Sequence, residues 1–195
     1  MYNKLIDMFK TFISINEEEK HLISNLFREK HYKKDEWFIS EGKVCNQVGF
    51  VVKGLLYYYW NDDGEVSVFE FGREGDFVTN YESCIYQTPS DINIQFLEDT
   101  VLLVITYSDL NELFERLNEG ERFGRLILEH LFIERIKAIS SFYRHTPEGR
   151  YERFLDIHTN LSGRVPQYLI ASYIGVKPQS LSRIKQRMGQ DSKKS

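Results

Sequence analysis

Apolar residues along this chain change their spacing twice, and each change marks a change of element. From residue 3 to 29 they recur at helical intervals, in two pieces. Asn16 with Glu19 forms a capping-box pattern ahead of Leu22, Ile23, Leu26 and Phe27. Between Trp37 and Ile105 the pattern becomes short runs rich in β-formers, punctuated by glycine. These runs are Phe50–Val52 before Gly54, Leu55–Trp60 before Asn61-Asp62-Asp63-Gly64, and Glu65–Phe71 before Gly72. Gly75-Asp76-Phe77 opens a further segment, and Ile92–Phe96 and Val101–Thr106 close the series. Asp63-Gly64 between two such runs is a hairpin signal, and evenly spaced short strands predict a compact barrel or roll.

The spacing then returns to a helical period. Asp109 with Glu112 is placed to cap a long helix, and between Phe123 and Tyr143 there is no proline and one glycine, Gly124. Leu128, Leu131, Ala138 and Phe142 form one apolar stripe, interrupted by Arg135, and Phe132, Ile136, Ile139 and Tyr143 form a second beside it. One stripe serves the helix's own domain. The other is left for a second copy packed about a two-fold axis, and the first stripe (Leu128, Leu131, Arg135, Ala138, Phe142) is expected there. A helix buried wholly within one monomer is the alternative. Thr146-Pro147-Glu148-Gly149 breaks the helix, and a short one at 150–158 follows.

Residues 167–186 are the most specific part of the chain. Gly175 stands where a first helix ends in a left-handed conformation, and Pro178 stands at the first turn of a second. Ile170, Ile174, Val176, Leu181 and Ile184 supply the inward faces, and Ala171 is small enough for the axes to cross closely. Lys177, Gln179, Ser180, Ser182, Arg183, Gln186 and Arg187 remain outside, a polar set suited to phosphates and base edges. An ordinary corner between two helices with a solvated face is the plainer reading.

Charge is distributed unevenly. Residues 143–195 carry ten Lys or Arg against four Asp or Glu, and residues 1–142 fifteen against twenty-five, leaving +6 on the end and −10 on the body. Without Lys193 and Lys194 the end still carries +4. An acidic body with a basic end suits a protein that presents only one end to DNA, with a solvated basic tail as the alternative source of the asymmetry. With 42% of its residues hydrophobic it can bury a core, and no apolar run reaches the roughly 18 to 20 residues that span a bilayer. No secretion signal opens the chain, so a cytoplasmic protein without membrane contact is expected. Cys45 and Cys84 form neither a disulfide framework nor a metal site, and buried reduced thiols are expected, with a redox-sensing pair as the alternative.

In this order, a glycine-punctuated roll, a long helix and a terminal helix-turn-helix resemble the Crp/Fnr family of bacterial transcription regulators. The resemblance covers nearly the whole chain. It rests on Val165–Met188 and on Gly42, Phe50, Gly54, Gly75, Asp76 and Phe77. Arg164-Val165-Pro166-Gln167 followed by Ile170-Ala171-Ser172-Tyr173 is similar to members common in the Bacteroidetes. The resemblance implies an α+β fold: an N-terminal β-roll of the cyclic-nucleotide-binding, double-stranded β-helix type over residues 1–108, a dimerisation helix over 109–145 and a helix-turn-helix domain over 146–195. It also implies a homodimer on double-stranded DNA, contact with RNA polymerase and a small-molecule effector of unknown identity. Pro178, Gln179 and Arg183 match the positions with which the family reads bases. Arg164, Gln167, Lys177, Lys185 and Arg187 are then candidates beside them, chiefly for phosphate.

The chain departs from the family at its effector site. Where cyclic-AMP binders place a glutamate for the ribose and an Arg-Ser pair for the phosphate, an ungapped comparison finds Asn80, Ser90 and Asp91. No Arg or Lys lies between Arg73 and Arg116, and no His between His31 and His130. The first gap speaks against cyclic AMP and the second against haem and against metal-dependent barrel enzymes. An effector pocket, if present, is expected near Phe71, Asn80, Tyr81, Ser90 and Asp91. Tyr57, Tyr58, Tyr59, Phe69, Phe71, Tyr81 and Tyr86 are expected as roll core and surface, with an aromatic pocket as the alternative. Only residues 189–195 follow Met188, so the β-hairpin wing usual in the family is expected to be missing or vestigial. No catalytic residue, cofactor or metal is expected. The rivals are a cyclic-nucleotide-responsive regulator and a small-molecule-binding β-roll protein.

Overall fold

The computed structural model describes residues 1–191; Lys193 and Lys194, counted above in the basic end, lie outside the described residues. Helices α1 (Tyr2–Lys10) and α2 (Glu17–Leu26) open the chain. The capping box at α2 forms: Glu19 N–H donates to the Asn16 side chain at 2.9 Å, and Asn16 N–H donates to the Glu19 carboxylate at 3.0 Å. The strands are β1 (Arg28–Tyr32), β2 (Trp37–Ile39), β3 (Gln47–Lys53), β4 (Leu56–Asp62), β5 (Glu65–Gly72), β6 (Phe77–Val78), β7 (Asn93–Phe96) and β8 (Thr100–Thr106). They form two antiparallel four-stranded sheets, in the orders β1-β8-β3-β6 and β2-β7-β4-β5. β1 is an unexpected element, since Arg-Glu-Lys-His-Tyr has no apolar alternation. It pairs with β8 at a sheet edge, where charge on the strand discourages further pairing.

Side-chain alternation along β4 divides the aromatic residues between two cores. Leu56 and Tyr58 point between the sheets with Val51, Val78, Ile94, Phe96 and Leu102. Tyr57 and Tyr59, with rings stacked at 4.8 Å, point the other way and join Val68 and Phe71 against the C-terminal helices. β4 and β5 close on Asp63-Gly64, both at positive φ, as the hairpin signal requires.

The expected long helix is two helices. α4 (Tyr107–Arg116) is capped by Thr106, whose hydroxyl accepts from Asp109 N–H at 3.0 Å, and α5 (Gly120–Arg144) follows a break at 117–119. The expected Asp109–Glu112 cap is therefore corrected to Thr106. Distant partners hold the break open: Asn118 N–H donates to Glu19 and Ser14 N–H donates to Glu119. Phe123 stacks on Phe9 at 4.0 Å and fixes the start of α5 to α1. Thr146 and Pro147 start α6 (Pro147–Ile157) one turn earlier than expected, and α7 (Gln167–Tyr173) and α8 (Pro178–Asp191) complete the chain. A short α3 (Tyr81–Tyr86) lies between β6 and β7.

Candidate nucleic-acid interface

The turn between α7 and α8 has the geometry its sequence demands. Gly175 adopts φ +69, its N–H donates to Ser172 C=O at 2.9 Å, and Val176 N–H donates to Ala171 C=O at 2.9 Å. These are the paired bonds of a helix end closed by a left-handed residue. Ile170, Ala171, Ile174, Leu181 and Ile184 are buried together with Phe154, Leu161, Val165 and Leu169, so the two helices are locked into one frame.

That frame presents α8 outward. Lys177, Pro178, Gln179, Ser180, Ser182, Arg183 and Gln186 are all exposed. Among the described residues Lys177 and Arg183 have no ion-pair partner. Lys185 donates to Gln167 at 2.9 Å, and Arg187 pairs with Glu148 at 2.7 Å, so these three candidates are engaged inside the module.

Arg164 is placed differently from its expected phosphate role. Its guanidinium donates to Glu74 at 2.9 and 3.1 Å and to Glu98 at 3.3 Å, with a second, shorter bond to Glu98. Both carboxylates belong to the roll. Burial by itself would raise the pKa of Glu74, but Arg164 and the Gly54 amide outweigh it and hold the carboxyl at about 2. The bonds to Glu98 and Glu74 in turn raise the Arg164 pKa.

Ser172 adds a second tie that the sequence did not announce. Its hydroxyl accepts from Val68 N–H at 2.9 Å and donates to Val66 C=O at 2.8 Å, covering part of the open edge of β5. Arg150 braces the module from behind, donating to Ile174 C=O at 2.7 Å and lying 5.2 Å from the centre of the Phe142 ring. None of Ser172, Arg150, Glu74 or Glu98 has a local sequence signal, because each acts on a residue far along the chain.

On α5 the two stripes are unequally exposed. Leu131 and Ala138 line a cavity beside the roll, Arg135 pairs with Glu70 of β5, and Phe142 packs beneath Arg150. Of the stripe expected at a partner, Leu128, Arg135 and Phe142 stay exposed, while Leu131 and Ala138 are half-buried. The open face is instead Leu128, Phe132, Ile136, Ile139 and Tyr143, at intervals of three and four, with Phe132 67% and Tyr143 87% exposed. The reason lies in α5's own anchors: Phe123 on α1 and Arg135 on β5 set its rotation.

The positions expected near an effector are closed on themselves. Asn80 and Ser90 are buried, and the Asn80 side chain donates to the Ser90 hydroxyl at 2.8 Å. Asn80 also caps α3 through Ser83 N–H, while Ser90 donates to Ile92 C=O. Asp91 and Tyr81 are exposed and Phe71 is buried against α6 and α7, so the five residues do not form one pocket. Cys45 and Cys84 are both buried, and their sulfurs share the Gln47 carbonyl at 3.4 and 3.6 Å. Among the described residues no helix is long and apolar enough to cross a membrane, and no group of three His, Cys, Asp or Glu could hold a metal ion.

Residues 29–117 match the cyclic nucleotide-binding domain family. No curated protein matches the sequence. Among solved structures, FixK2 from Bradyrhizobium japonicum superposes with a TM-score of 0.73 at 19% identity, over 85% of this chain and 86% of that one. The c-di-GMP responsive global regulator CLP from Xanthomonas campestris gives 0.68 at 14% identity, over 91% and 93%. A Eubacterium rectale protein assigned to the crp/fnr family of transcriptional regulators gives 0.67 at 18%, over 91% and 85%. At these identities the likeness is one of fold.

Proposed function

We propose that this chain, which carries a cyclic nucleotide-binding domain and shares its overall fold with regulators of the Crp/Fnr type, is a homodimeric regulator of transcription that reads a palindromic operator in double-stranded DNA and catalyses nothing. The observation that carries this reading is the surface of α8. A buried two-helix frame holds a row of exposed amide, hydroxyl and guanidinium groups, with Lys177 and Arg183 free of ion pairs. An unpaired arginine on a rigid helix suits bidentate pairing with guanine in a major groove. In this reading residues 146–195 are the DNA-binding helix-turn-helix domain, 1–108 the roll and 109–145 the dimerisation segment. By its packing on α2 and β8, α4 stands with the roll and leaves α5 to join the protomers. A two-fold axis along α5 sets the recognition helices about 34 Å apart, one turn of DNA. RNA polymerase is the partner that such a regulator meets at its operator.

The roll in this proposal is not a receptor for cyclic AMP. Asn80 and Ser90 are bonded to each other, and no basic side chain lies between Arg73 and Arg116 to meet a phosphate. The match to the cyclic nucleotide-binding domain favours a second reading, a regulator that does respond to such a ligand. Calorimetric titration with cyclic AMP and cyclic GMP separates the two: no heat is expected, and a micromolar dissociation constant would establish the second reading. For the function itself, DNA recovered with the protein from fragmented genomic DNA is expected to share a palindrome with half-sites one turn apart. Fragments without a common motif would refute it.

A further inference from the structure

A cavity of about 550 Å³ lies at the junction of α1, β5, α5 and α6, within the range of small-molecule sites. Neither Asn80 nor Ser90 lines it. Much of its wall is apolar, including Phe71, Phe77 and Leu131. Its charged groups divide into two kinds. The carboxylates are all engaged: Glu70 with Arg135, Glu134 with Lys137 at 2.7 Å, and Asp76 with the Arg73 N–H at 2.9 Å. The guanidiniums of Arg73 and Arg153, by contrast, have no ion-pair partner among the described residues.

His158 supplies the independent observation. It lines the same cavity with 9% of its surface exposed, its ring packed among Phe71, Phe154 and Tyr173, and its Nδ1 is a buried polar atom with no hydrogen-bond partner. A buried ring nitrogen left unpaired is costly unless a ligand meets it. Burial, helped by the nearby Arg73 charge, lowers its pKa to about 4, so the imidazole is neutral at neutral pH and can donate one N–H.

We infer that this cavity is a binding site for a small organic anion with an apolar body, an aliphatic or aromatic carboxylate. The carboxylate lies between the Arg73 and Arg153 guanidiniums with His158 as a further donor, and the apolar body lies along Phe71, Phe77 and Leu131. A neutral ligand leaves two desolvated guanidiniums unpaired, and a dianion with no apolar part leaves the wall uncovered. Arg73 comes from the roll whereas Arg153 and His158 come from α6 and its end, so an anion held by all three ties the two parts together.

Calorimetry of the full chain with octanoate and 2-naphthoate, and with octanol as the neutral comparator, tests this without DNA and so independently of the proposed regulator function. The carboxylates are expected to bind one per chain, and octanol at least about tenfold more weakly. Arg73→Gln and Arg153→Gln should each weaken octanoate by about tenfold and leave octanol unchanged, and Leu131→Trp should block both. Arg125→Gln, on the exposed side of α5, should change nothing. Failure of both carboxylates to bind, equal affinity for octanoate and octanol, or binding indifferent to both arginine variants would each overturn the inference. The octanoate and octanol comparison needs no variant and stands even if one of them fails to fold.

Discussion

Arg164, at the entrance to the C-terminal helices, grips Glu74 of the roll with two hydrogen bonds, at 2.9 and 3.1 Å. With the Ser172 bonds to β5, this pair fastens the terminal module to the roll, and the Glu74 carboxyl titrates at about 2 instead of the ordinary 4.5. A depressed carboxyl stabilises the docked arrangement fully above pH 4.5, and that contribution disappears as pH falls from 4.5 towards 2. In wild type, protection of the Val68 amide, taken relative to the exchange rate of an unstructured chain at the same pH, should therefore fall across this window. In Arg164→Ala exchange should already be fast at pH 7, and equal protection in the two proteins would show that the clamp contributes nothing to docking.

Gly175 stands at φ +69, and a Cβ there would sit 3.1 Å from Phe142 Cε1. The backbone term dominates because a side chain in the left-handed region costs about 1–2 kcal/mol, while the Phe142 ring can shift. Gly175→Ala is expected to lower unfolding free energy by about that amount. Gly163→Ala, with open space around it, should lie within about 0.5 kcal/mol of wild type by denaturant titration.

The exposed stripe on α5 predicts which substitutions break a dimer. Phe132→Asp and Ile136→Asp should yield monomers by light scattering at micromolar concentration, since each places a charge in the proposed apolar interface. Leu131→Ala faces the roll, and should lower thermal stability while leaving association intact. A monomer from Leu131→Ala with a dimer from Phe132→Asp would restore the opposite face as the contact.

Arg183 should separate reading from holding. Its replacement by Ala is expected to cost about 1–3 kcal/mol on the operator and to relax preference at one base pair. Lys177→Ala should weaken operator and scrambled duplexes alike and reduce the salt slope by roughly one unit. Binding across a salt series on both duplexes measures each. An equal loss on both duplexes for Arg183→Ala would show that this residue does not read a base.

Much of the architecture was legible in the chain because its signals are local. The Asn16–Glu19 box, the Asp63-Gly64 hairpin, the Gly175 turn and Pro178 at the start of α8 each depend on a few neighbouring backbone bonds, and each formed as its residues require. The inward faces of α7 and α8 were equally readable, since a period near 3.6 fixes which side chains share a face. What the chain alone left open was whom each face meets. β1 escaped notice because edge strands are made by pairing with β8 and need no apolar alternation. The rotation of α5, and with it the choice between Leu131 and Phe132 as the outward residue, was decided by Phe9, 114 positions before Phe123, and by Glu70. Arg164 carries the same charge in either role, and only the tertiary placement of Glu74 and Glu98 turned it from phosphate towards the roll. Periodicity is a property of neighbouring residues, whereas desolvation and pairing belong to groups that folding brings together.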